Sequence, residues 1–84
     1  MRNRNEIITI LENAFRLQFP NDTVDLSDGY QDNIHVLVVS RRFDDMPEKD
    51  KQDVLWNVID STKLTDDEKA LISLVYPVSP AEVK

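Results

Sequence analysis

The stretch Ile34-His35-Val36-Leu37-Val38-Val39 is the clearest structural signal in the chain, because five of its six residues are aliphatic. An almost unbroken β-branched run is typical of a central strand covered on both faces. Upstream, Thr23-Val24-Asp25-Leu26-Ser27 alternates apolar and polar residues and predicts a half-buried strand. The turn signal Asp28-Gly29 separates the two segments, so we expect an antiparallel hairpin.

Two capping boxes mark expected helix starts on either side of this hairpin. Residues 3–19 carry an apolar stripe at helical spacing, and Asn3 and Glu6 have the three-residue separation of a capping box. Thr65 and Glu68 have the same separation and predict a short helix. Both starts therefore rest on the same local chemistry, a side-chain oxygen that accepts from an unpaired backbone amide.

A further helix and a last strand complete the expected order. Asp45 and Glu48 again have capping-box spacing and predict a helix that runs to about Asp60. The alternation of residues 72–76 predicts a third strand. Because proline cannot donate to a ladder, this strand either ends at Pro77 or has a free edge there.

These elements give one α+β domain over residues 1–84, in the order α-β-β-α-α-β. We expect a three-stranded mixed sheet with the helices packed on one face, followed by a stub helix at the capping box Ser79-Pro80-Ala81-Glu82. The chain shows no repeats and no low-complexity segment.

The composition excludes several classes of site. The absence of cysteine removes thiolate nucleophiles, cysteine-based zinc sites and cysteine-ligated iron–sulfur clusters. A single glycine, Gly29, removes the dinucleotide fingerprint, the P-loop and the G-x-x-G loop of KH domains. A single histidine, His35, excludes the two-histidine zinc protease motif. We interpret it as a partly exposed strand residue, with a proton switch as the alternative. We therefore predict no catalytic residue, no metal ligand and no cofactor.

The charge balance points to proteins as partners. A net charge of −6 repels nucleic-acid phosphate and anionic membranes at long range. No apolar run approaches the roughly 20 residues of a membrane span. The N-terminal segment is amphipathic and lacks a signal-peptide core, so we expect a soluble cytoplasmic protein.

The element order and several residues resemble the BolA-like family, whose fold is related to the second type of KH domain. The resemblance is clearest after Val39-Ser40, where two residues, Phe43, two residues and Met46 follow, similar to the family's V-S-x-x-F-x-G-M turn before its long helix. Ser79-Pro80-Ala81-Glu82 is similar to the family's ending after its last strand. The resemblance implies the fold given above and partners that are glutaredoxin-like or regulatory.

Three departures fall on functional positions of that family. Asp45 stands where the family has glycine, and Lys51-Gln52-Asp53 stand where it has a basic Arg-His-Arg. Leu71 or Lys69, depending on the alignment, stands where it has the histidine implicated in cluster binding with monothiol glutaredoxins. An aliphatic side chain has no donor for iron and lysine is rarely a ligand, so we expect no iron–sulfur ligation.

The candidate partner-binding surface comprises Arg41, Arg42, Lys51 and Trp56. Two guanidinium groups beside an aromatic residue at a strand end suit a carboxylate, a phosphate or a partner loop. The alternative is that Phe43 fills the core while the arginines pair with nearby acids. Trp56, at the margin of its helix stripe, fits an interface anchor and a half-buried core residue equally well.

The sequence thus predicts a non-enzymatic interaction or regulatory module of BolA-like type that binds a protein partner. The alternative function is a nucleic-acid-binding regulatory protein with a KH-like fold. The charge of −6 and the missing G-x-x-G loop argue against that alternative.

Overall fold

A computed structural model describes residues 2–82 of the chain, with the backbone alone at Tyr30. Six helices and strands follow in the predicted α+β order: α1 (Arg4–Gln18), β1 (Thr23–Asp28), β2 (Ile34–Val39), α2 (Glu48–Asp60), α3 (Asp66–Lys69) and β3 (Ile72–Val78). Short 3₁₀ turns occupy Tyr30–Asp32, Arg41–Phe43 and Pro80–Glu82. No helix in the described range combines the length and apolarity that a membrane crossing needs.

β2 lies in the middle of a three-stranded sheet of order β1-β2-β3. It is antiparallel to β1, where Val24 faces Val38, and parallel to β3, where Val36 faces Val75. One irregularity between Ile34 and His35 leaves an extra residue, Ser73, in β3. The predicted hairpin and the predicted central strand are both confirmed.

The two faces of the sheet differ. Ile34, Val36 and Val38 are fully buried beneath α1 and α2. The alternate residues of β2, which include His35 and Leu37, are only half-buried. The expectation that β2 is covered on both faces is therefore wrong: all the helices lie on one face, as the predicted architecture required.

Two of the four predicted capping boxes, those at Asn3 and Thr65, form in full. The side chains of Asn3 and Thr65 accept from the amides of Glu6 and Glu68, and each glutamate bonds back to its cap. Glu68 is buried and also accepts from the backbone amide and the guanidinium of Arg2, both at 2.9 Å. The backbone amides of Thr65 and Arg2 lower the pKa of Glu68 to about 2.

The Asp45 cap is wrong. Pro47 is the N-cap of α2 and makes no side-chain cap bond, while Asp45 lies in the left-handed region at φ 62°. This geometry turns the chain from the buried Phe43 into α2, and the N-cap falls two residues after Asp45. A left-handed φ favours glycine, so a residue with a Cβ is strained at this position.

β3 continues through Pro77 to Val78, so of the two alternatives at Pro77 the free edge is the one observed. The amide of Ser40 donates to the carbonyl of Val78, so the backbone groups of Val78 point towards β2. Because backbone groups alternate along a strand, the backbone groups of Val75 and Pro77 point away from β2, towards the free edge of the sheet. The Val75 carbonyl accepts from the Gln52 side chain at 2.9 Å, and Pro77 has no N–H, so this edge is blunted.

The left-handed turn at Asp45 gives a direct test of the local fold. Asp45→Gly removes a Cβ that the left-handed backbone crowds, and we expect it to raise the free energy of unfolding by up to about 1 kcal/mol. Asp45→Ala keeps the Cβ but loses the polar side chain that tolerates this region, so it lowers that free energy by about 1 kcal/mol. Urea denaturation followed by Trp56 fluorescence measures both.

Asp44→Gly is the matched control, because Asp44 has an ordinary φ of −59°. There glycine only adds freedom to the unfolded chain and lowers stability. An equal fall in the free energy of unfolding for Asp45→Gly and Asp44→Gly would contradict the left-handed turn.

Candidate protein-binding surfaces

Arg41 is exposed and lines a shallow depression between the turn after β2 and the turn after β3, together with Asp45 and Pro80. Within residues 2–82 its guanidinium makes no ion pair within 4 Å. The predicted alternative, in which the arginines pair with neighbouring acids, does not hold in this range. Its other half does, since Phe43 is 1% exposed and belongs to the core.

Arg42 covers the C-terminal end of α1. Its guanidinium carbon lies 4.3 Å from the ring centroid of Phe19 and its Nη1 donates to the carbonyl of Gln18 at 2.9 Å. The Phe19 ring in turn lies 5.7 Å from that of Phe43, centroid to centroid. A cation over an aromatic face at the negative end of a helix is stabilising on both counts, so Arg42 is already held by the fold.

Lys51 is buried, in contrast to the exposed position that a partner-binding lysine needs. Its Nζ lies 2.8 Å from Oε1 of Glu82 and 3.7 Å from Oε2 of Glu48. The hydrogen bond from Lys51, followed by that from the Ser79 amide, lowers the pKa of Glu82 to about 2. The same hydrogen bond raises the pKa of Lys51. Lys51 therefore fastens the turn after β3 to α2.

Trp56 is half-buried and packs at the margin of the core. It follows Gln52 by one helical turn, and Gln52 reaches over the outer edge of β3. Arg41 and Arg42 line separate depressions, and Trp56 lines neither. The structure thus does not gather the four predicted residues into one site.

The positions that correspond to the family's histidine do not suit a cluster. Leu71 packs half-buried against the core, and the Nζ of Lys69 lies 3.1 Å from Oδ1 of Asp60. Across residues 2–82 no three His, Cys, Asp or Glu side chains come together in a way that could hold a metal ion. Leucine has no donor atom and this lysine is ion-paired, so neither position offers a ligand for iron.

His35 packs over Gly29 at the hairpin end. A Cβ on Gly29 would lie 2.5 Å from Nε2 of His35, so only glycine leaves room for the imidazole in this position. His35 is half-buried within β2, as predicted for a partly exposed strand residue.

The second face of the sheet, which sequence reasoning did not single out, carries two of the three exposed large apolar side chains of residues 2–82. No helix of residues 2–82 packs on it, and Leu74 and Tyr76 are 40% and 47% exposed. We call it the open face. Its members are the residues of the three strands whose side chains lie on the face without helices: Thr23, Asp25, Ser27, His35, Leu37, Val39, Leu74, Tyr76 and Val78. The alternation of Leu74 and Tyr76 with the buried Val75 and Pro77 was the available signal.

The ion pair between Lys51 and Glu82 predicts a pH effect. The folded-state pKa of Glu82 is lowered, so its stabilising contribution is present above pH 4.5 and is lost as the pH falls towards 2. In Lys51→Met we expect the Glu82 pKa to rise from about 2 towards the ordinary 4.5, read from the carboxyl carbon resonance. Lys49→Met is the control, because Lys49 is an exposed lysine on the same helix. An unchanged titration of Glu82 in Lys51→Met would contradict the pairing.

No protein-family model, curated protein sequence or solved structure matches this chain. The case for a function therefore rests on the chemistry of the surfaces described above.

Proposed function

We propose that this chain is a non-enzymatic interaction module of BolA-like type that binds a protein partner through the open face. The observation that carries the proposal is the exposure of Leu74 and Tyr76 beside half-buried Leu37, Val39 and Val78 on one uncovered sheet face. Contiguous exposed apolar surface is typical of protein-binding sites. The proposal keeps the cytoplasmic location predicted above.

The size of the open face restricts the kind of partner. Three strands of about six residues span roughly 20 by 14 Å, or about 300 Å². A stable interface between two globular proteins buries about 800 Å² on each partner. The open face therefore suits a short segment of a partner better than a second folded surface.

The BolA-like part of the proposal is supported by the element order and by the turn at Asp45. The order α-β-β-α-α-β with β3 parallel to β2 agrees with the resemblance, and the left-handed φ of Asp45 falls where the family has glycine. The regulatory role is what the resemblance implies. The lack of a fitting donor at Leu71 or Lys69 supports a module without iron–sulfur ligation.

Nucleic-acid binding is less well supported. Arg42 and Lys51, two of the basic residues that could have met phosphate, are held by Gln18 and Glu82, which leaves Arg41 alone at the turn after β2. The open face carries the carboxylate of Asp25, which repels phosphate. We therefore keep a protein as the partner.

A capture experiment with matched variants tests the open face. The immobilised protein, Leu74→Asp and Leu17→Asp are each exposed to extract from the native cell. Burying a carboxylate in an apolar contact is costly. We therefore expect Leu74→Asp to retain at least tenfold less of the proteins that the wild type retains.

Leu17→Asp is the control, because Leu17 is an exposed leucine, at 78%, on α1 and away from the sheet. We expect it to retain the same proteins as the wild type. Equal retention by all three proteins, or equal loss from both variants, would count against the open face.

The partner class implied by the resemblance has its own test. We expect a cluster-loaded monothiol glutaredoxin to shift amide resonances of the labelled protein saturably without changing the visible absorption of the cluster. The physical reason is that neither Leu71 nor Lys69 supplies a ligand. A saturable change in the absorption would show that the chain ligates the cluster after all.

A further inference from the structure

The two edges of the sheet are unequal. The outer edge of β3 is blunted at Pro77 and at the Val75 carbonyl, which accepts from Gln52. The outer edge of β1 has neither a proline nor a bulge over Thr23–Asp28. An unprotected edge is a template for another strand.

The ladder shows which groups of β1 point outwards. The amide of Gly29 donates to the carbonyl of Asn33 at 2.7 Å, so these two residues form a hydrogen-bonded pair. Alternation along the antiparallel ladder then directs Asp25 and Ser27 to β2, and Val24 and Leu26 away from it. The same alternation holds on β2. The amide of Ile34 points away from β1 and donates to the carbonyl of Leu71, just before β3.

The outward groups have no partner within the described chain. β1 has no strand neighbour on this side, and outside the β1–β2 ladder no hydrogen bond of residues 2–82 reaches the amide or the carbonyl of Val24 or Leu26. Two amides and two carbonyls therefore lie along the outer edge of β1, at the spacing to which an extended backbone can hydrogen-bond.

The charge beside these groups selects a basic partner. Asp25 projects from the open face between Val24 and Leu26 and makes no ion pair within residues 2–82, whereas Asp28 is paired with Arg4. β1 contains no basic residue. A lysine or arginine on an incoming strand would stand directly opposite Asp25 and be stabilised by it.

A second copy of the chain is a poor occupant. Antiparallel pairing of β1 with itself, in the register that uses both Val24 and Leu26, sets Asp25 of one copy opposite Asp25 of the other. Like charges directly opposite each other in a sheet are destabilising, and each copy carries a net charge of −6.

We propose that a basic, extended segment of a partner protein adds to β1 as a fourth strand, bonds the backbone of Val24 and Leu26, and pairs a cationic side chain with Asp25. The inference rests on the proposed function, which it deepens by naming the partner's chemistry and its mode of attachment. The added strand enlarges the open face along its β1 side.

The test titrates the full, isotope-labelled chain with an eight-residue peptide of alternating lysine and valine. We expect the exchange of the Val24 and Leu26 amides with solvent to slow at least tenfold, because strand addition bonds these two donors. A peptide of alternating glutamate and valine is the charge control, and we expect it not to bind.

Two variants separate charge from backbone pairing. Asp25→Lys is expected to weaken peptide binding about tenfold, since it replaces an attraction by a repulsion. Asp44→Lys makes the same charge change at an exposed site away from the sheet and is expected to have little effect. Leu26→Pro removes an outward donor and is expected to abolish the slowed exchange. If Leu26→Pro fails to fold, the Asp25→Lys result still decides.

Each remaining outcome overturns a stated part. Shifts of the Leu74 and Val39 methyl resonances without slowed exchange at Val24 and Leu26 would overturn strand addition and leave the open face as the site. Absence of both effects would overturn strand addition by a basic segment, while the capture experiment with Leu74→Asp decides the open face independently. Slowed exchange with the glutamate peptide would overturn the basic partner, and a dimer of the chain alone with protected Val24 and Leu26 would replace the partner by a second copy.

Discussion

The backbone of β2 is hydrogen-bonded on both sides, and this double pairing places the other elements. Ile34 donates to the carbonyl of Leu71, just before β3, and Ser40 donates to that of Val78 at its end, while β1 pairs along the opposite side of β2. A parallel neighbour requires a crossover connection, so α2 and α3 must pass over the sheet between β2 and β3. α1 then packs over the β1 side of that same face, and Ile34, Val36 and Val38 become the floor of the core.

With every helix on one face, the sheet is left with one bare face and two strand edges. One edge is closed by Pro77 and by the side chain of Gln52. The other carries the unpaired backbone of Val24 and Leu26 next to the open face. The part of the sheet that can still make contacts is therefore continuous, running from the apolar side chains of β3 across β2 to the edge of β1.

Local signals were sufficient where the chemistry itself is local. The capping boxes at Asn3 and Thr65 and the hairpin at Gly29 each involve residues within a few positions, and all three form as predicted. The cap expected at Asp45 has the same spacing but is wrong, because the turn that follows the buried Phe43 sets the backbone there. The open face was not predicted, since Leu37 and Val39 have the same apolar character as residues of a covered strand.

The predicted site shows the limit of reading charge from sequence, because the pairing partners are distant in the chain. Lys51 meets Glu82, Arg2 meets Glu68 and Arg4 meets Asp28, over separations of 31, 66 and 24 residues. A small domain with a modest core uses its few basic residues to hold loops and chain ends onto the helices and the hairpin. Acids outnumber bases, 16 to 10, and several of the bases are paired within the fold, so carboxylates such as Asp25 are the commoner charges that face a partner. A basic segment is what such a surface attracts.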